Sequence, residues 1–300
     1  MTSGSIVLYK TDIPMVSEVI HSFFRGNSGG RKLYLVDNSP TDELSGLKDL
    51  YPEQTEYIFL NENAGYGKAH NVAIRKSMEE GFDYHVVLNP DLSFGGEVIP
   101  GLEEFMDNNC MVGLCIPDVW DLEYEGRRPQ ARLLPSPIHA FLRRFATNWS
   151  YTKRLDDEYI LRFADFSKVM DIPYISGCFM FFRNSSLKDV GLFDEKIFMY
   201  YEDVDISRRM YSKYRCCFVP KVKAYHKGER ATYKSAKMLW ITIKSALYYF
   251  HKYGFIFDFE RRRINAEVLS KVPRQNQLGG GKIILFNAVC EPYLSLKLAS

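Results

Sequence analysis

Short apolar, β-branched runs alternate with amphipathic stretches through the first 120 residues, and this alternation constrains the fold more than any other feature of the chain. Strands separated by helices imply βαβ units and a mostly parallel sheet with helices on its faces. SIVLY (5–9) reads as the first strand. MVSEVIHSFFR (15–25) follows, with Val16, Val19, Ile20, Phe23 and Phe24 at helical spacing. KLYLVDNS (32–39) and TEYIFLN (55–61) are the next two strands. ENAGYGKAHNVAIRKSMEEG (62–81) is a glycine-bearing loop feeding a helix that Gly81 stops, and YHVVLNPD (84–91) is a fourth strand. Ligands of open α/β sheets bind outside the carboxyl ends of the strands, which is where Asp37, Asn38, Asn89 and Asp91 fall.

Beyond residue 120 the pattern loosens. Residues 121–170, with Pro129, Pro135 and Pro137, read as an insertion or loop region. YISGCFMFFR (174–183) is a strand, SSLKDVG a short helix ended by Gly191, and a further helix begins at about Glu202. CCFVPKVKAYHKG (216–228) is strand, and AKMLWITIKSALYYFHKYG (236–254) a long helix; the tail beyond 258 is not placed.

Composition narrows the class. The 300 residues are 46% hydrophobic and 15% aromatic, enough to bury a large core, which excludes a disordered, collagenous or coiled-coil protein. No run of 18 uncharged apolar residues suggests a spanning helix, and MTSGSIVLYKTD lacks the features of a secretory signal, so a cytoplasmic protein is expected. Six cysteines without metal-ligand spacing are expected reduced and buried. Charge is polarised: residues 1–205 carry 20 Lys and Arg against 32 Asp and Glu, whereas residues 206–300 carry 19 against 5. The last third is therefore expected to face something anionic.

Several segments carry candidate chemistry. Asp37 could accept hydrogen bonds from a base or ribose, although Asp37-Asn38-Ser39-Pro40 also reads as a plain turn. Asn89-Pro90-Asp91 could offer a hard cation an oxygen ligand at Asp91, and equally reads as a turn after a strand. The Gly65-Tyr66-Gly67-Lys68 loop opens a helix whose N–H groups favour an anion, but it does not match a P-loop. Five carboxylates, Asp194, Glu195, Glu202, Asp203 and Asp205, stand among bulky aromatics. Acids in the first helical turn are expected as dipole partners, or Glu202 or Asp203 is a general base in an aromatic-walled pocket. His226 is a candidate metal or phosphate ligand, or a structural histidine.

Together IVLYKTD with VDNSPTD, NENAGYGKAHNVAI, VVLNPDL, ISGCFMFFRNSSLKDVGLFDEKIFMYYEDVDISRRM and AYHKGERAT resemble the inverting nucleotide-sugar glycosyltransferases of family 2, in their rhamnosyltransferase-like branch. The resemblance implies a GT-A fold, an α/β nucleotide-binding mixed sheet flanked by helices, here with a helical C-terminal extension. It implies a catalytic domain over 1–232, divided into a nucleotide half (1–120) and an acceptor half (121–232), and a basic, aromatic-rich region over 233–300. It assigns Asp203, with Glu202 beside it, to catalysis, and Asp91 and His226 to a Mg2+ or Mn2+ ion. Asp37, Asn38, Gly65, Tyr66, Gly67, Asn71, Asn89 and Gly177 fall to the donor. Asn89 stands where the family has an acid.

The expected function is transfer of a sugar from a nucleoside diphosphate, dTDP-rhamnose before a UDP-sugar, with inversion. The expected acceptor is a saccharide or lipid-linked saccharide in bacterial surface polysaccharide synthesis. The basic stretch 234–254, with Lys234, Lys237, Lys244 and Lys252 among apolar and aromatic residues, could rest on the anionic inner face of the membrane, or pack under the sheet. Two rivals are a catalytically silent partner subunit and a nucleic-acid-binding protein; the acidic first two thirds argue against nucleic acid as a partner.

Overall fold

A computed structural model describes residues 1–26, 29–121, 126–127, 131–145, 150–227 and 236–275. The chain runs through β1 (Thr2–Leu8), α1 (Ile13–Phe24), β2 (Arg31–Asp37), a 3-10 helix (Ser45–Leu50), β3 (Thr55–Phe59), α2 (Tyr66–Glu79), β4 (Tyr84–Leu88), β5 (Leu92–Phe94), α3 (Val98–Asp107) and β6 (Val112–Asp121). It continues with β7 (Gly126–Arg127), β8 (Ala131–Arg132), α4 (Pro137–Phe145), α5 (Ser150–Tyr159), β9 (Met170–Asp171), β10 (Tyr174–Ile175), β11 (Phe179–Arg183), α6 (Asn184–Val190), α7 (Glu202–Tyr211), β12 (Arg215–His226), α8 (Ala236–Tyr253) and α9 (Phe259–Lys271).

The main sheet has the order β3-β2-β1-β4-β11-β6-β12-β5. Its first four strands are parallel, as βαβ alternation requires. β11 then inserts antiparallel between β4 and β6, and β12 pairs parallel with β6, so the sheet is mixed. The core is continuous across this junction because β4 and β6 are buried nearly throughout.

Local signals account for the early elements. Asp12 caps α1 by accepting the Met15 N–H, and the helical stripe Val16, Val19, Ile20, Phe23 and Phe24 is wholly buried. Sequence reading passed over β5, α3 and β6. Strand β6 carries Pro117, which cannot donate to a ladder, and it is accommodated because β12 skips register between Val219 and Lys223 opposite Pro117 and Asp118. The expected single strand 174–183 is instead two, β10 and β11, separated by a turn at Gly177-Cys178. That break aims the Gly177 N–H at the site rather than into a ladder.

The cysteine expectation needs one correction. Cys115, Cys178, Cys216 and Cys217 are free and buried, but Cys110 is exposed, because it lies in the turn from α3 to β6 after Asn108-Asn109. Cys290, Lys234 and the Gly228–Thr232 end of the AYHKGERAT segment lie outside the described residues.

Helix α8 lies against the 193–211 segment, with the Tyr249 ring fully buried beside Tyr201 and the Ser245 hydroxyl donating to the Met199 carbonyl at 2.7 Å. No helix among the described residues is long and apolar enough to cross a membrane.

Candidate functional site

The singled-out residues converge on one edge of the sheet. Asp37 ends β2, Asn89 and Asp91 follow β4, Gly65–Gly67 open α2, Gly177 precedes β11, Asp203 stands in the first turn of α7 and His226 ends β12. In a parallel sheet that is the carboxyl edge, where strands release chain into loops that can reach a ligand.

Asp37 is fully buried. Its carboxylate accepts the Ser39 N–H at 2.7 Å and the Tyr57 hydroxyl at 2.6 Å, so it ties the β2 turn to β3. Asn38 donates from Nδ2 to the Gly65 carbonyl at 3.0 Å and so joins the β2 and α2 loops.

The glycine loop receives another part of the chain. Gly65 has φ +86°, and a Cβ there would stand 2.3 Å from the Phe198 carbonyl oxygen, which accepts the Tyr66 N–H at 2.8 Å. A Cβ on Gly67 would meet Phe193 Cβ at 2.8 Å. The two glycines thus admit the 193–198 segment against the start of α2, and the first helical N–H, read from sequence as an anion donor, is bonded to Phe198. Asn71 completes the clamp: Nδ2 donates to the Phe193 carbonyl at 2.9 Å and Oδ1 accepts the Phe193 N–H at 3.0 Å.

Tyr66 is the junction of the site. Its hydroxyl donates towards the Gly177 carbonyl at 2.7 Å and Asn89 Oδ1 at 3.1 Å. Burial holds this phenol protonated, pushing its pKa well above the ordinary value, and the charges of Glu202, Asp203 and Asp91 add to the effect. The three acidic side chains therefore all lie close to one hydroxyl.

On one side of that junction lies an oxygen and nitrogen cluster. Asn89 Nδ2 is 3.4 Å from His226 Nε2, which is 3.2 Å from Asp91 Oδ1. His226 is placed by strand pairing, opposite Leu92 of β5 and Asp121 of β6. A carboxylate, an imidazole and an amide so placed could share a hard cation with substrate phosphate oxygens. Among the described residues no group of three or more His, Cys, Asp or Glu side chains is arranged to hold a metal.

On the other side lies the carboxylate pair. Asp203 Oδ2 accepts the Gly177 N–H at 3.0 Å and the Tyr174 hydroxyl at 3.1 Å, while Oδ1 accepts the Val204 N–H at 2.9 Å. Arg132 Nη1 donates to the Tyr174 hydroxyl at 3.1 Å. Burial raises the Asp203 pKa, opposed by the Gly177 N–H and by the Arg132 charge. Burial, with the Asp203 charge, pushes Glu202 further, well above the usual carboxylate range. Glu202 Oε2 is buried with no hydrogen-bond partner among the described residues. Where two carboxyls compete for one negative charge, donors decide, so Asp203 carries it and Glu202 holds the proton. The preceding Tyr200 and Tyr201 have φ of +64° and +69°, a costly left-handed pair that turns the chain sharply into α7.

The chain of contacts is continuous from Asp203 through Gly177, Tyr66 and Asn89 to His226 and Asp91. Sequence reading missed Tyr174 and Arg132. Tyr174 lay inside what read as an ordinary strand, and Arg132 in the irregular 121–170 region, where only an excess of arginines beside prolines hinted at a role.

The mixed sheet flanked by helices is the GT-A glycosyltransferase fold, and comparisons with known proteins agree on that fold. Residues 6–191 match the profile of "Glycosyl transferase family 2", well over half of the chain, and the chain belongs to that family. The match ends before Asp203 and His226. A curated relative from Mycobacterium tuberculosis, N-acetylglucosaminyl-diphospho-decaprenol L-rhamnosyltransferase, is 26% identical over 211 residues, covering 66% of this chain and 67% of that protein. Among solved structures, GalNAc-T7 with UDP, GalNAc and Mn2+ superposes with TM-score 0.58 at 14% identity, over 82% of this chain; the chain spans 47% of that one. The mannosyltransferase PcManGT from Pyrobaculum calidifontis with GDP-Man and Mn2+ superposes at TM-score 0.55 and 15% identity, over 90% of this chain and 74% of that one. At these identities the structures show the shared fold.

Proposed function

We propose that this protein transfers a sugar from a nucleoside diphosphate to a saccharide or lipid-linked saccharide hydroxyl with inversion, in bacterial surface polysaccharide synthesis. dTDP-rhamnose is the favoured donor, on the strength of the L-rhamnosyltransferase relative, with UDP-sugars next. That relative's name also supports a lipid-diphosphate-linked acceptor. The observation that carries the reading is the hydrogen-bonded path joining Asp203 to the Asp91–His226 pair through Tyr66.

In the proposed reaction the acceptor oxygen bonds to the anomeric carbon as the bond from that carbon to the diphosphate oxygen breaks. Asp203 takes the acceptor hydroxyl proton. Its Oδ2 is held by Gly177 and Tyr174, whereas Oδ1 accepts only the Val204 N–H and is the less encumbered oxygen for proton uptake; burial raises its pKa, the direction that strengthens a base. A Mg2+ or Mn2+ ion held by Asp91 and His226, with Asn89 as a neutral neighbour, would neutralise charge on the leaving diphosphate. Asp37, Asn38, Gly65, Gly67 and Asn71 shape the donor pocket by holding its loops together.

Asp203→Asn keeps the shape and removes the base. With dTDP-rhamnose or a UDP-sugar and either metal, turnover is expected to fall about 10²–10⁴-fold while donor-induced thermal stabilisation persists. A variant near the wild-type rate would overturn the assignment, and a wild-type protein that turns over no donor would favour the silent-subunit reading.

A further inference from the structure

The turn between α8 and α9 exposes apolar surface that a folded chain ordinarily buries. Phe255 is 45% exposed, Ile256 67%, Phe257 72% and Phe259 68%, four large apolar side chains within five residues. Mobility does not account for it, because the fifth residue bolts the turn down. Asp258 is buried, caps α9 by accepting the Arg261 N–H at 2.9 Å, and pairs in bidentate fashion with the buried Arg208 of α7 at 2.6 and 2.7 Å. Phe257 and Phe259 stack on each other at 6.2 Å instead of folding inward.

The exposed surface continues along α8. Its inner face, Ser245, Tyr249 and Phe250, is buried, whereas Trp240, Lys244, Leu247 and His251, spaced for one helical face, are exposed. Helix α8 contains no carboxylate. At the far side of the turn Arg262 lies over the Phe259 ring and Arg263 is exposed. An apolar tip flanked by cations, on helices too polar to span a bilayer, has the make-up of an interfacial element.

We propose that the α8–α9 turn and the outer face of α8 dock on an anionic lipid surface, with Phe255, Ile256, Phe257 and Phe259 entering the headgroup and acyl boundary and Lys244, Arg262 and Arg263 meeting the lipid phosphates. The choice of lipid over a protein partner rests on charge: Lys244, Arg262 and Arg263 flank the tip, and the buried Asp258 is matched by Arg208. The exposed carboxylates nearby, Glu260 and Glu267, are each held by a cation, Glu260 by Arg208 and Glu267 by Lys271 and Arg263. Because Arg208 belongs to the helix that begins with Glu202 and Asp203, docking would hold the site at a set height above the surface. The inference deepens the lipid-linked acceptor reading without needing catalysis to be right.

Flotation of the 300-residue chain on phosphatidylcholine vesicles with and without phosphatidylglycerol tests it. Wild type is expected to float with the anionic vesicles and to be released by high salt. Ile256→Ser/Phe257→Ser, at exposed positions that leave the core intact, is expected to lower partitioning at least tenfold while leaving donor turnover in solution unchanged. Lys244→Glu/Arg262→Glu is expected to abolish the preference for anionic lipid. Asp203→Asn should float like wild type, which separates this inference from the catalytic one. Wild type that stays unbound on both vesicles, or an Ile256→Ser/Phe257→Ser variant that floats as well as wild type, would overturn the proposal. So would a fall from dimer to monomer in that variant, since the patch would then be a contact between copies.

Discussion

Asp258→Ala tests whether the C-terminal helices are integral to the α/β domain or merely appended. The substitution removes three bonds at once: both Arg208 contacts and the cap of α9. Loss of a helix cap costs about 1 kcal/mol. Removing one partner of a buried ion pair costs about 3–5 kcal/mol, because the remaining charge is stranded. Here the lower end applies, since Glu260 still holds Arg208 Nη2 at 2.8 Å and the Tyr253 ring lies 3.9 Å from the guanidinium. The expected loss is about 4 kcal/mol, a large part of the roughly 5–15 kcal/mol that stabilises a typical domain. Urea denaturation, with slopes compared to confirm that the transition remains two-state, reads it directly. Arg208→Met/Asp258→Ala should be more stable than Asp258→Ala alone, because the stranded guanidinium is gone. A single variant losing under about 1 kcal/mol, or a double variant worse than the two single changes combined, would refute the claim that this pair fastens α9 to α7.

Two further outcomes follow from the site and its support. Gly65→Ala forces a side chain into a left-handed conformation and towards the Phe198 carbonyl; a loss of about 1–3 kcal/mol in thermal stability is expected, with weaker donor protection, and an unchanged melting temperature would show that the loop yields freely. Burial holds His85 neutral, its pKa pushed down from 6.5 to about 3, and burial, with a second ionisable ring at His85 beside it, pushes His70 well below 6.5. Through Ser3 and Ser5 these rings tie β1 to β4 and α2. The unfolded chain takes up protons below pH 6.5 that the folded one refuses, so this stability is present above 6.5 and is lost as pH falls from there towards about 3. Urea midpoints are expected to drop across that window and to flatten in His85→Gln; a wild-type midpoint independent of pH would contradict it.

What the sequence determined by itself is what depends on near neighbours in the chain. Periodicity placed α1, α2, α7, α8 and the parallel strands, since apolar spacing and caps are local properties. The strand-end polar residues followed from the same rule, because a parallel sheet puts its loops on one edge. The sequence could not show the antiparallel insertion of β11, the strand character of β6 with its internal proline, or the break at Gly177, since each depends on a partner strand far along the chain. Only tertiary structure decided how the acidic residues divide their labour. Asp203 receives donors from Gly177 and Tyr174, Glu202 is left with a buried, unbonded oxygen, and Asp37 is turned inward to Tyr57. A carboxylate's chemistry is set by what surrounds it in space, and for these three the hydrogen-bond donors alone arrive from up to 29 residues away in sequence.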